Sequence, residues 1–372
     1  MDKLRLALIG FGNVGQGFVQ ILNDRGEALA QQFGIRFPIV AVCDTIKGSV
    51  YNPDGLLPAT LLDAIHRDGT LDSVSAPIRG WDALRTIEDS NADVIIEVSP
   101  TNLETGEPAS TYLYCALKRD RHIITTNKGP IALHYRELKT LAQAHKREIG
   151  IEGTVMSGTP VLRLAQHLLK TDDIQRIQGI VNGTTNYILT QMEDGTNYAD
   201  ALLEAQKHGY AETDPTGDVE GYDAAAKMVI LANLLMGGSF SLSDVMRTGI
   251  THITPRDIDS AQAKGLVWKL VGTIEKNEGI VTVSVCPRLL PLTHPLASIR
   301  GTTNALTFTT HLLGDVTIIG PGAGRLETGS AIIDDLLAIY RLTSPHGRDA
   351  FIPDIPKGGI NGIQPRWWPA AS

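Results

Sequence analysis

An acidic segment that runs into an apolar helical stretch holds the side chains best suited to proton transfer. It reads GYAETDPTGDVEGYDAAAK from Gly209 to Lys227. Asp223 and Lys227 are four residues apart, so a helix places them on one face with the acid first, which is the favourable order. The ordinary interpretation is a surface ion pair worth about 0.3 kcal/mol. Because the sequence stays apolar through Ala232, however, we expect a buried Lys227 that could pass a proton to a developing alkoxide.

The loop before this helix is rich in carboxylates. Glu212, Asp214, Asp218 and Glu220 all precede the Asp223 turn. Such an excess of negative charge suits the ammonium group of an amino acid. We therefore expect a small cationic or zwitterionic molecule as the ligand of this segment.

A second basic candidate is Lys128, in the motif TTNKGP from Thr125 to Pro130. The motif follows a predicted strand, and open α/β sheets bind their ligands at the carboxyl ends of strands. A lone lysine in a turn is usually solvated, so the sequence leaves both interpretations of Lys128 open.

A glycine motif joins the first predicted strand to the first predicted helix. The strand from Leu4 to Ile9 is followed by GFGNVG and then by a helical pattern. The first glycine permits a tight turn, the second lets backbone approach a pyrophosphate, and the third allows close helix packing. A glycine-rich turn without function is the alternative. The predicted cofactor residues are Gly10, Phe11, Gly12, Asn13, Val14 and Gly15.

The second predicted strand ends in Asp44, whose carboxylate could accept hydrogen bonds from a ribose diol and favour NAD. Its distance from Gly15 exceeds the usual spacing of about 20 residues. Lys47 could instead meet the 2′-phosphate of NADP, and Asp44 could simply cap the turn that follows it. Together with Lys227, the glycine motif predicts a nicotinamide-dependent oxidoreductase.

Short apolar runs alternate with amphipathic stretches up to about Glu152, which predicts a doubly wound, Rossmann-like parallel sheet covered by helices. After Pro160 longer helices, at 160–169, 198–208 and 222–236, and interleaved strands, at 174–181, 279–285 and 305–310, predict a second, α+β domain. A glycine-rich turn is expected at 320–324. The predicted divisions are a dinucleotide-binding domain over 1–150, a catalytic and substrate domain over 151–320, a helix over 321–342 that returns to the first domain, and a Pro-rich tail over 343–372. We expect strands at 4–9, 39–44, 93–98, 122–126 and 148–151, and helices at 14–24, 61–67, 109–119 and 135–145.

The 372 residues suggest two domains at about 150 residues each. The net charge of −8 argues against nucleic acid and anionic membranes as partners. No apolar stretch is long enough for a signal peptide or a span, so a cytoplasmic protein is expected. Three scattered cysteines indicate neither a disulfide framework nor a zinc site.

Several ordered motifs together resemble the homoserine dehydrogenase family, in the monofunctional form without a kinase or an ACT regulatory domain. The resemblance covers about residues 4 to 340. It rests on GFGNVG, TTNKGP, NGTTNYIL, the acidic segment up to Lys227, and GPGAG from Gly320 to Gly324. It implies reversible oxidation of L-homoserine to L-aspartate 4-semialdehyde with NAD or NADP, in threonine and methionine biosynthesis.

The resemblance also implies roles for individual residues. Lys227 would be the proton donor or acceptor, and Lys128 would orient the reacting oxygen. Substrate would contact Glu212, Asp218, Asp223 and Thr184. Besides the glycine motif, the dinucleotide would contact Asp44, Ser99, Thr101, Lys128, Gly209 and Gly324.

A monovalent cation, commonly sodium, belongs to the same resemblance. Carbonyl oxygens in the turn after the first domain would hold it, and hard oxygen ligands suit such an ion. The corresponding residues are Glu152, Val155, Ser157 and Thr159. Since GTVMSGTP replaces a glycine run, a plain interdomain turn is the alternative.

A homodimer through the second domain is what the resemblance suggests. Trp367 and Trp368 in the tail could pack on a neighbouring subunit. Two other functions remain: a dehydrogenase of another small hydroxy or amino acid, and a dinucleotide-binding sensor that has lost catalysis.

Overall fold

Short runs of β-branched residues and leucine in the first 150 residues form a seven-stranded sheet, and later residues form a six-stranded one. The coordinates are a computed structural model and describe residues 1–169 and 171–349. The strands of the first part are β1 (Asp2–Lys3), β2 (Leu6–Ile9), β3 (Ile35–Arg36), β4 (Ile39–Asp44), β5 (Gly48–Leu56), β6 (Ile78–Arg79), β7 (Val94–Glu97), β8 (His122–Thr125) and β9 (Ile149–Gly150). Its helices are α1 (Asn13–Phe33), α2 (Pro58–Asp68), α3 (Ala83–Asp89), α4 (Ala109–Lys118) and α5 (Lys128–Ala144).

The order of the larger sheet is β6-β5-β4-β2-β7-β8-β9. Strands β4, β2, β7, β8 and β9 pair in parallel, while β5 and β6 pair antiparallel at one edge. All residues of β2, β7 and β8 are buried, as expected for parallel strands covered on both faces. The chain order reverses between β2 and β7, and a doubly wound sheet binds its ligand in the crevice at that point. The predicted fold is confirmed.

The second part is a mixed sheet with helices. Its strands are β10 (Ile174–Ile180), β11 (Met246–Arg247), β12 (Leu266–Asn277), β13 (Ile280–Pro291), β14 (Thr303–Thr310) and β15 (Gly314–Pro321). Its helices are α6 (Val161–Arg163), α7 (Gly183–Glu193), α8 (Tyr198–Lys207), α9 (Thr216–Val219), α10 (Tyr222–Leu235), α11 (Pro255–Gln262), α12 (Arg325–Thr343) and α13 (Pro345–Asp349). The strand order is β11-β13-β12-β10-β14-β15, and α7 and α10 pack against β12.

Helix α12 lies directly against α1. A Cβ atom added at Gly17 would lie 2.1 Å from the carbonyl oxygen of Arg325, and one added at Gly329 would lie 2.8 Å from the backbone nitrogen of Phe18. Glycine at both positions therefore lets the two backbones touch. Further along, Leu336 and Tyr340 are buried in the same core as Phe18.

Several elements differ from those expected. The helix predicted over 135–145 already begins at Lys128, because Asn127 caps it. The helix predicted over 160–169 is only Val161–Arg163 followed by a π-helical turn over Leu164–Leu168. Strands β5, β12 and β15 and helix α7 were not predicted; Gly320 and Pro321, expected in a turn, end β15.

Within the described ranges, none of the helices is both long enough and apolar enough to cross a membrane. In the predicted tail, residues 345–349 form α13. Trp367 and Trp368 lie outside the described residues.

Candidate active site

Lys227 is the centre of the candidate site. It lies on α10 and is only 7% exposed, so the predicted burial is confirmed. Its Nζ donates to the carbonyl oxygen of Val181 at 2.6 Å and to Oδ2 of Asp223 at 2.7 Å. An ammonium group has three N–H bonds. Throughout residues 1–169 and 171–349, no third acceptor lies within hydrogen-bonding distance of this nitrogen, so one donor remains for an external oxygen.

Asp223 lies between two lysines. Its Oδ2 accepts from Lys227, and its Oδ1 lies 3.3 Å from Nζ of Lys128. Burial raises the pKa of Asp223, but the charges of Lys227 and Lys128 outweigh burial and hold that pKa well below its usual range. The carboxylate therefore stays ionised and fixes both ammonium groups.

Asn182 bridges two carboxylates in this cluster. Its Nδ2 donates to Oδ1 of Asp218 at 2.6 Å and to Oδ2 of Asp223 at 3.0 Å. Its Oδ1 accepts from the backbone N–H of Thr185 at 2.9 Å and so begins α7. Burial, together with the nearby charge of Asp223, raises the pKa of Asp218. The structure thus joins the NGTTN motif to the acidic segment.

Thr184 contacts the loop that carries the remaining substrate candidate. Its Oγ1 donates to the carbonyl oxygen of Tyr210 at 2.5 Å, and the Tyr210 ring packs edge-on against Tyr187. Gly209 adopts a left-handed φ of 73° at an exposed position. Glu212 is exposed, and its backbone carbonyl accepts from Gln206. The structure therefore brings Thr184, Asp218 and Asp223 together and leaves the Glu212 side chain at the surface.

Lys128 reaches this cluster from the first half of the chain. It is the first residue of α5, rather than a residue of a loop. Oδ1 of Asn127 accepts from the backbone N–H of Gly129 at 3.1 Å, which fixes the start of the helix. The side chain of Lys128 is 24% exposed, so it is accessible to a ligand while paired with Asp223.

The glycine motif forms the turn from β2 into α1. Gly10 has a φ of 98°, and a Cβ atom there would lie 2.6 Å from the carbonyl oxygen of Val98. A Cβ atom at Gly15 would lie 2.9 Å from the carbonyl oxygen of Gly10, whereas nothing lies within 4 Å of one at Gly12. The space beside Gly12 opens at the start of α1, where a helix attracts phosphate. This shape fits a dinucleotide pyrophosphate, and Asn13 and Val14 begin the helix below it.

Asp44 ties the glycine turn to the loop after β4. Its Oδ2 accepts from the backbone N–H of Phe11 at 2.7 Å, and its Oδ1 accepts from those of Ile46 and Lys47 at 2.9 Å. Burial raises its pKa, but these donors together lower it below the ordinary value. Asp44 therefore caps its turn and also holds a negative charge beside the glycine motif.

The other predicted cofactor residues lie on neighbouring loops. Ser99 follows β7, and its backbone and hydroxyl donate to the Glu97 carboxylate. Thr101 is exposed in the same loop. Gly324 precedes α12 next to Arg325, which contacts Gly17 in the second turn of α1.

Known proteins resemble this chain over most of its length. The family model for the homoserine dehydrogenase NAD-binding domain matches residues 10–152, and the homoserine dehydrogenase model matches residues 160–337. The chain is 44% identical over 344 residues to an NAD(+)-dependent homoserine dehydrogenase of Pseudomonas canavaninivorans, covering 92% of this chain and 97% of that protein. It is 40% identical over 339 residues to a homoserine dehydrogenase of Methanocaldococcus jannaschii, covering 91% and 99%. The chain belongs to the homoserine dehydrogenase family.

Solved homoserine dehydrogenases share the fold. A putative homoserine dehydrogenase of Archaeoglobus fulgidus is 37% identical with a TM-score of 0.82, covering 91% of this chain and 99% of that one. A hyperthermophilic archaeal homoserine dehydrogenase mutant in complex with NADPH is 28% identical with a TM-score of 0.78, covering 92% and 99%. As a homoserine dehydrogenase, this chain is an NAD(P)-dependent oxidoreductase acting on a CH–OH group. The two other functions considered from sequence are not favoured.

The turn in which the homoserine dehydrogenase resemblance places a cation is buried and sharply bent. Met156 and Ser157 both have a φ of 57°. The carbonyl oxygen of Thr159 accepts from Val161, whereas no donor among the described residues reaches those of Val155 and Ser157. Buried carbonyl groups normally have a partner. These two oxygens fit a cation, and the Glu152 side chain is occupied with the N–H groups of Leu162 and Arg163.

Some residues of this homoserine dehydrogenase site were missed from sequence. Asn182 was visible as the first residue of NGTTN, but its bridging role depends on Asp218 and Asp223, far along the chain. Val181 binds Lys227 through its backbone carbonyl oxygen, so the type of its side chain could not have predicted this contact. Glu97 ends a buried strand. An acidic residue directly after the apolar residues of that strand was the sequence feature that could have indicated it.

Proposed function

We propose that this chain reversibly oxidises L-homoserine to L-aspartate 4-semialdehyde, with Lys227 as the proton acceptor and donor. The observation that supports this role is that one N–H bond of the Lys227 ammonium group has no acceptor among the described residues. Two of its three donors are held by Val181 and Asp223, so the third is available to an added oxygen. The product would feed threonine and methionine biosynthesis.

In the oxidative direction the neutral amine of Lys227 accepts the proton of the substrate hydroxyl group. The C–H bond of the same carbon breaks as its hydride leaves, and the C–O bond becomes a carbonyl. The bound dinucleotide supplies the hydride acceptor, or the hydride donor in reverse. In the reductive direction the Lys227 ammonium returns the proton to the carbonyl oxygen.

Lys128 and Asp223 prepare the same oxygen. The Lys128 ammonium, 3.3 Å from Asp223, stabilises negative charge that develops on the reacting oxygen. Asp223 keeps both lysines in place without titrating near neutral pH. The Asp218 carboxylate and the Thr184 hydroxyl, which lie in this cluster, would contact the substrate. Glu212, whose side chain lies at the surface, is the remaining proposed contact, and acidic side chains suit the substrate ammonium group.

The crevice between β2 and β7, where the strand order reverses, would hold the dinucleotide. The turn Gly10–Gly15 would hold the pyrophosphate, while Ser99, Thr101, Lys128, Gly209 and Gly324 would line the remainder. We assign NAD as the preferred form, because the ionised Asp44 would repel a 2′-phosphate and could accept from a ribose diol.

A sodium ion is proposed in the turn after the first domain. The carbonyl oxygens of Val155 and Ser157 lack donors in the described part of the chain, and those of Glu152 and Thr159 complete the proposed set. Such an ion would coordinate carbonyl oxygens that otherwise lack a partner in the sharply bent turn at Met156 and Ser157. It takes no part in proton transfer.

The finer organisation is also a proposal. We propose domains over 1–150 and 151–320, with α12 as the helix that returns to the first domain, beginning at Arg325 rather than at residue 321, and a cytoplasmic homodimer that pairs through the second domain. Exposed apolar side chains on the second sheet, Leu289 and Met246, support a partner there. Light scattering of the purified chain tests the dimer, since a monomer at micromolar concentration would contradict it.

The function is tested by following nicotinamide absorbance with purified protein, L-homoserine, and NAD or NADP in parallel. The wild type should turn over. Lys227→Ala should lose at least 100-fold in kcat while its dinucleotide affinity stays unchanged. A wild type that binds dinucleotide but leaves homoserine unchanged would contradict the proposal.

A further inference from the structure

Glu97 is a buried carboxyl group that the mechanism above does not use. It is the last residue of β7, and its exposed fraction is 0%. In the part of the chain that the structure describes, no lysine, arginine or histidine forms an ion pair with it. A buried acid without a countercharge is costly unless its oxygens are fully hydrogen-bonded. What those oxygens hold therefore indicates why an acid is present.

The two oxygens of Glu97 hold the ends of two neighbouring strands. Oε1 accepts from the backbone N–H of Ser99 at 2.8 Å and from the Ser99 hydroxyl. Oε2 accepts from the hydroxyl of Thr125, the last residue of β8, at 2.7 Å. Glu97 and Thr125 are register partners in the parallel pair. One side chain thus connects the turn after β7 with the turn after β8.

A second set of hydrogen bonds closes this connection around Lys128. The Thr125 hydroxyl oxygen accepts from the backbone N–H of Asn127 at 3.0 Å. Nδ2 of Asn127 donates to the carbonyl oxygens of Ser99 and Pro100, both at 3.3 Å. Because Asn127 also caps α5, the position of Lys128 depends on the same network.

Glu97 also lies beside the glycine turn. It is the register partner of Ile9, which directly precedes Gly10. The next residue, Val98, presents the carbonyl oxygen that only a glycine at position 10 can approach. The network is therefore located where the chain order of the sheet reverses, below the crevice for the dinucleotide.

We propose that Glu97 is a positioning residue that fixes the Ser99 turn and the Lys128 turn relative to each other and to the dinucleotide. This inference rests on the proposed function in one respect, that Lys128 orients the reacting oxygen. Glu97 touches neither substrate nor dinucleotide, and it acts through Ser99, Thr125 and Asn127.

The test uses the full chain with Glu97→Gln, Lys128→Ala and the double variant. Glutamine keeps the size of the side chain but replaces one acceptor oxygen with an NH₂ group, so either the Thr125 hydroxyl or the Ser99 N–H and hydroxyl lose the acceptor to which they donate. Thr125→Val removes the link on the Lys128 side only and serves if Glu97→Gln does not fold. Thr86→Val is the matched control, because it deletes a buried hydroxyl group whose partners, the Asp82 carbonyl oxygen and the Cys43 thiol, belong to neither the Ser99 turn nor the Lys128 turn.

We expect Glu97→Gln and Thr125→Val each to lower kcat by about 10-fold or more, since small misplacement of a reacting group is costly. In the Lys128→Ala background, the same changes should lower kcat less than 2-fold. Thr86→Val should keep the wild-type kcat at a comparable melting temperature. The proposal would be overturned if Glu97→Gln lowered kcat by the same factor in the Lys128→Ala background as in the wild type. It would also be overturned if kcat fell only in proportion to the melting temperature, in Thr86→Val as in Glu97→Gln.

The dinucleotide affinity separates this proposal from the proposed function. If the wild type does not oxidise homoserine, the proposed function fails, and NADH binding followed by fluorescence then decides the role of Glu97. A Kd at least 5-fold weaker in Glu97→Gln than in Thr86→Val would support positioning of the Ser99 turn. An unchanged Kd would overturn it.

Discussion

Lys128 Nζ lies 3.3 Å from Asp223 Oδ1, and this contact joins the start of α5 in the first half of the chain to the start of α10 in the second. The two helices also pack against each other. Asp223, which holds the proton-transfer residue Lys227, is therefore also paired with a residue of the nucleotide-binding half. Activity should depend on this contact more than stability does.

The first prediction concerns Asp223→Asn. The change leaves two neighbouring lysines without their shared countercharge, and an amide NH₂ group faces at least one of them. We expect kcat to fall by about 100-fold or more, because the reacting oxygen then has misplaced donors. Steady-state kinetics with L-homoserine provide the measurement.

Asp214→Asn is the control for this change. Asp214 lies in the same acidic segment but is exposed, and its side chain contacts only the neighbouring Thr216 among the described residues. Its kcat should stay within about 2-fold of wild type. Equal losses in both variants would show that general charge in the segment, rather than the position of Asp223, controls the rate.

The second prediction concerns the choice of dinucleotide. Asp44→Asn removes the negative charge but keeps a side-chain oxygen for the N–H groups at Phe11 or Lys47. The ratio of kcat/KM with NAD to kcat/KM with NADP should fall about 10-fold, since repulsion of a 2′-phosphate disappears. Asp63→Asn, an exposed acid on α2, is the control and should leave the ratio unchanged.

The third prediction uses two glycines of α1. Gly17→Ala places a methyl group 2.1 Å from the Arg325 carbonyl oxygen, which should lower the free energy of unfolding by about 1–3 kcal/mol. Gly26→Ala meets nothing within 4 Å and should raise it by about 0.5–1 kcal/mol. Urea unfolding measures both. If both variants were stabilised alike, the contact between α1 and α12 would be wrong.

The fourth prediction concerns acid stability. Burial, with a contribution from the charge of Arg147, lowers the pKa of His122 from 6.5 to about 4. Below pH 6.5 the unfolded chain binds a proton that the folded chain does not, so stability is present above pH 6.5 and is lost as the pH falls through about 4. This loss is on the order of 3 kcal/mol.

Urea unfolding of His122→Gln between pH 7 and pH 4 tests this sign. The wild type should be the more stable protein at pH 7, because Nδ1 of His122 accepts from the backbone N–H of Glu148 at 3.0 Å. Its advantage over the variant should shrink as the pH falls. His66→Gln, at an exposed position of α2, is the control. An advantage that stays constant with pH would contradict the prediction.

Local patterns were sufficient for the parts of the site that depend on neighbouring residues. The glycine turn from Gly10 and the burial of Lys227 both follow from the residues around them. The start of α5 at Lys128 was missed because the cap from Asn127 outweighs the polar, proline-containing texture of TTNKGP. Asn182 and Gly17 could not be interpreted from sequence, because their partners, Asp218 and Arg325, are distant in the chain.

The crossing of α12 over α1 also bears on how the protein is made. Residues of α1 such as Phe18 pack in one core with α12, which is synthesised about 300 residues later, so part of this core is uncovered when the first sheet leaves the ribosome. Its completion must follow translation of the whole second half. We expect chaperones to bind the exposed apolar surface of the nascent first half, and we expect the mature protein to unfold both halves in one cooperative event.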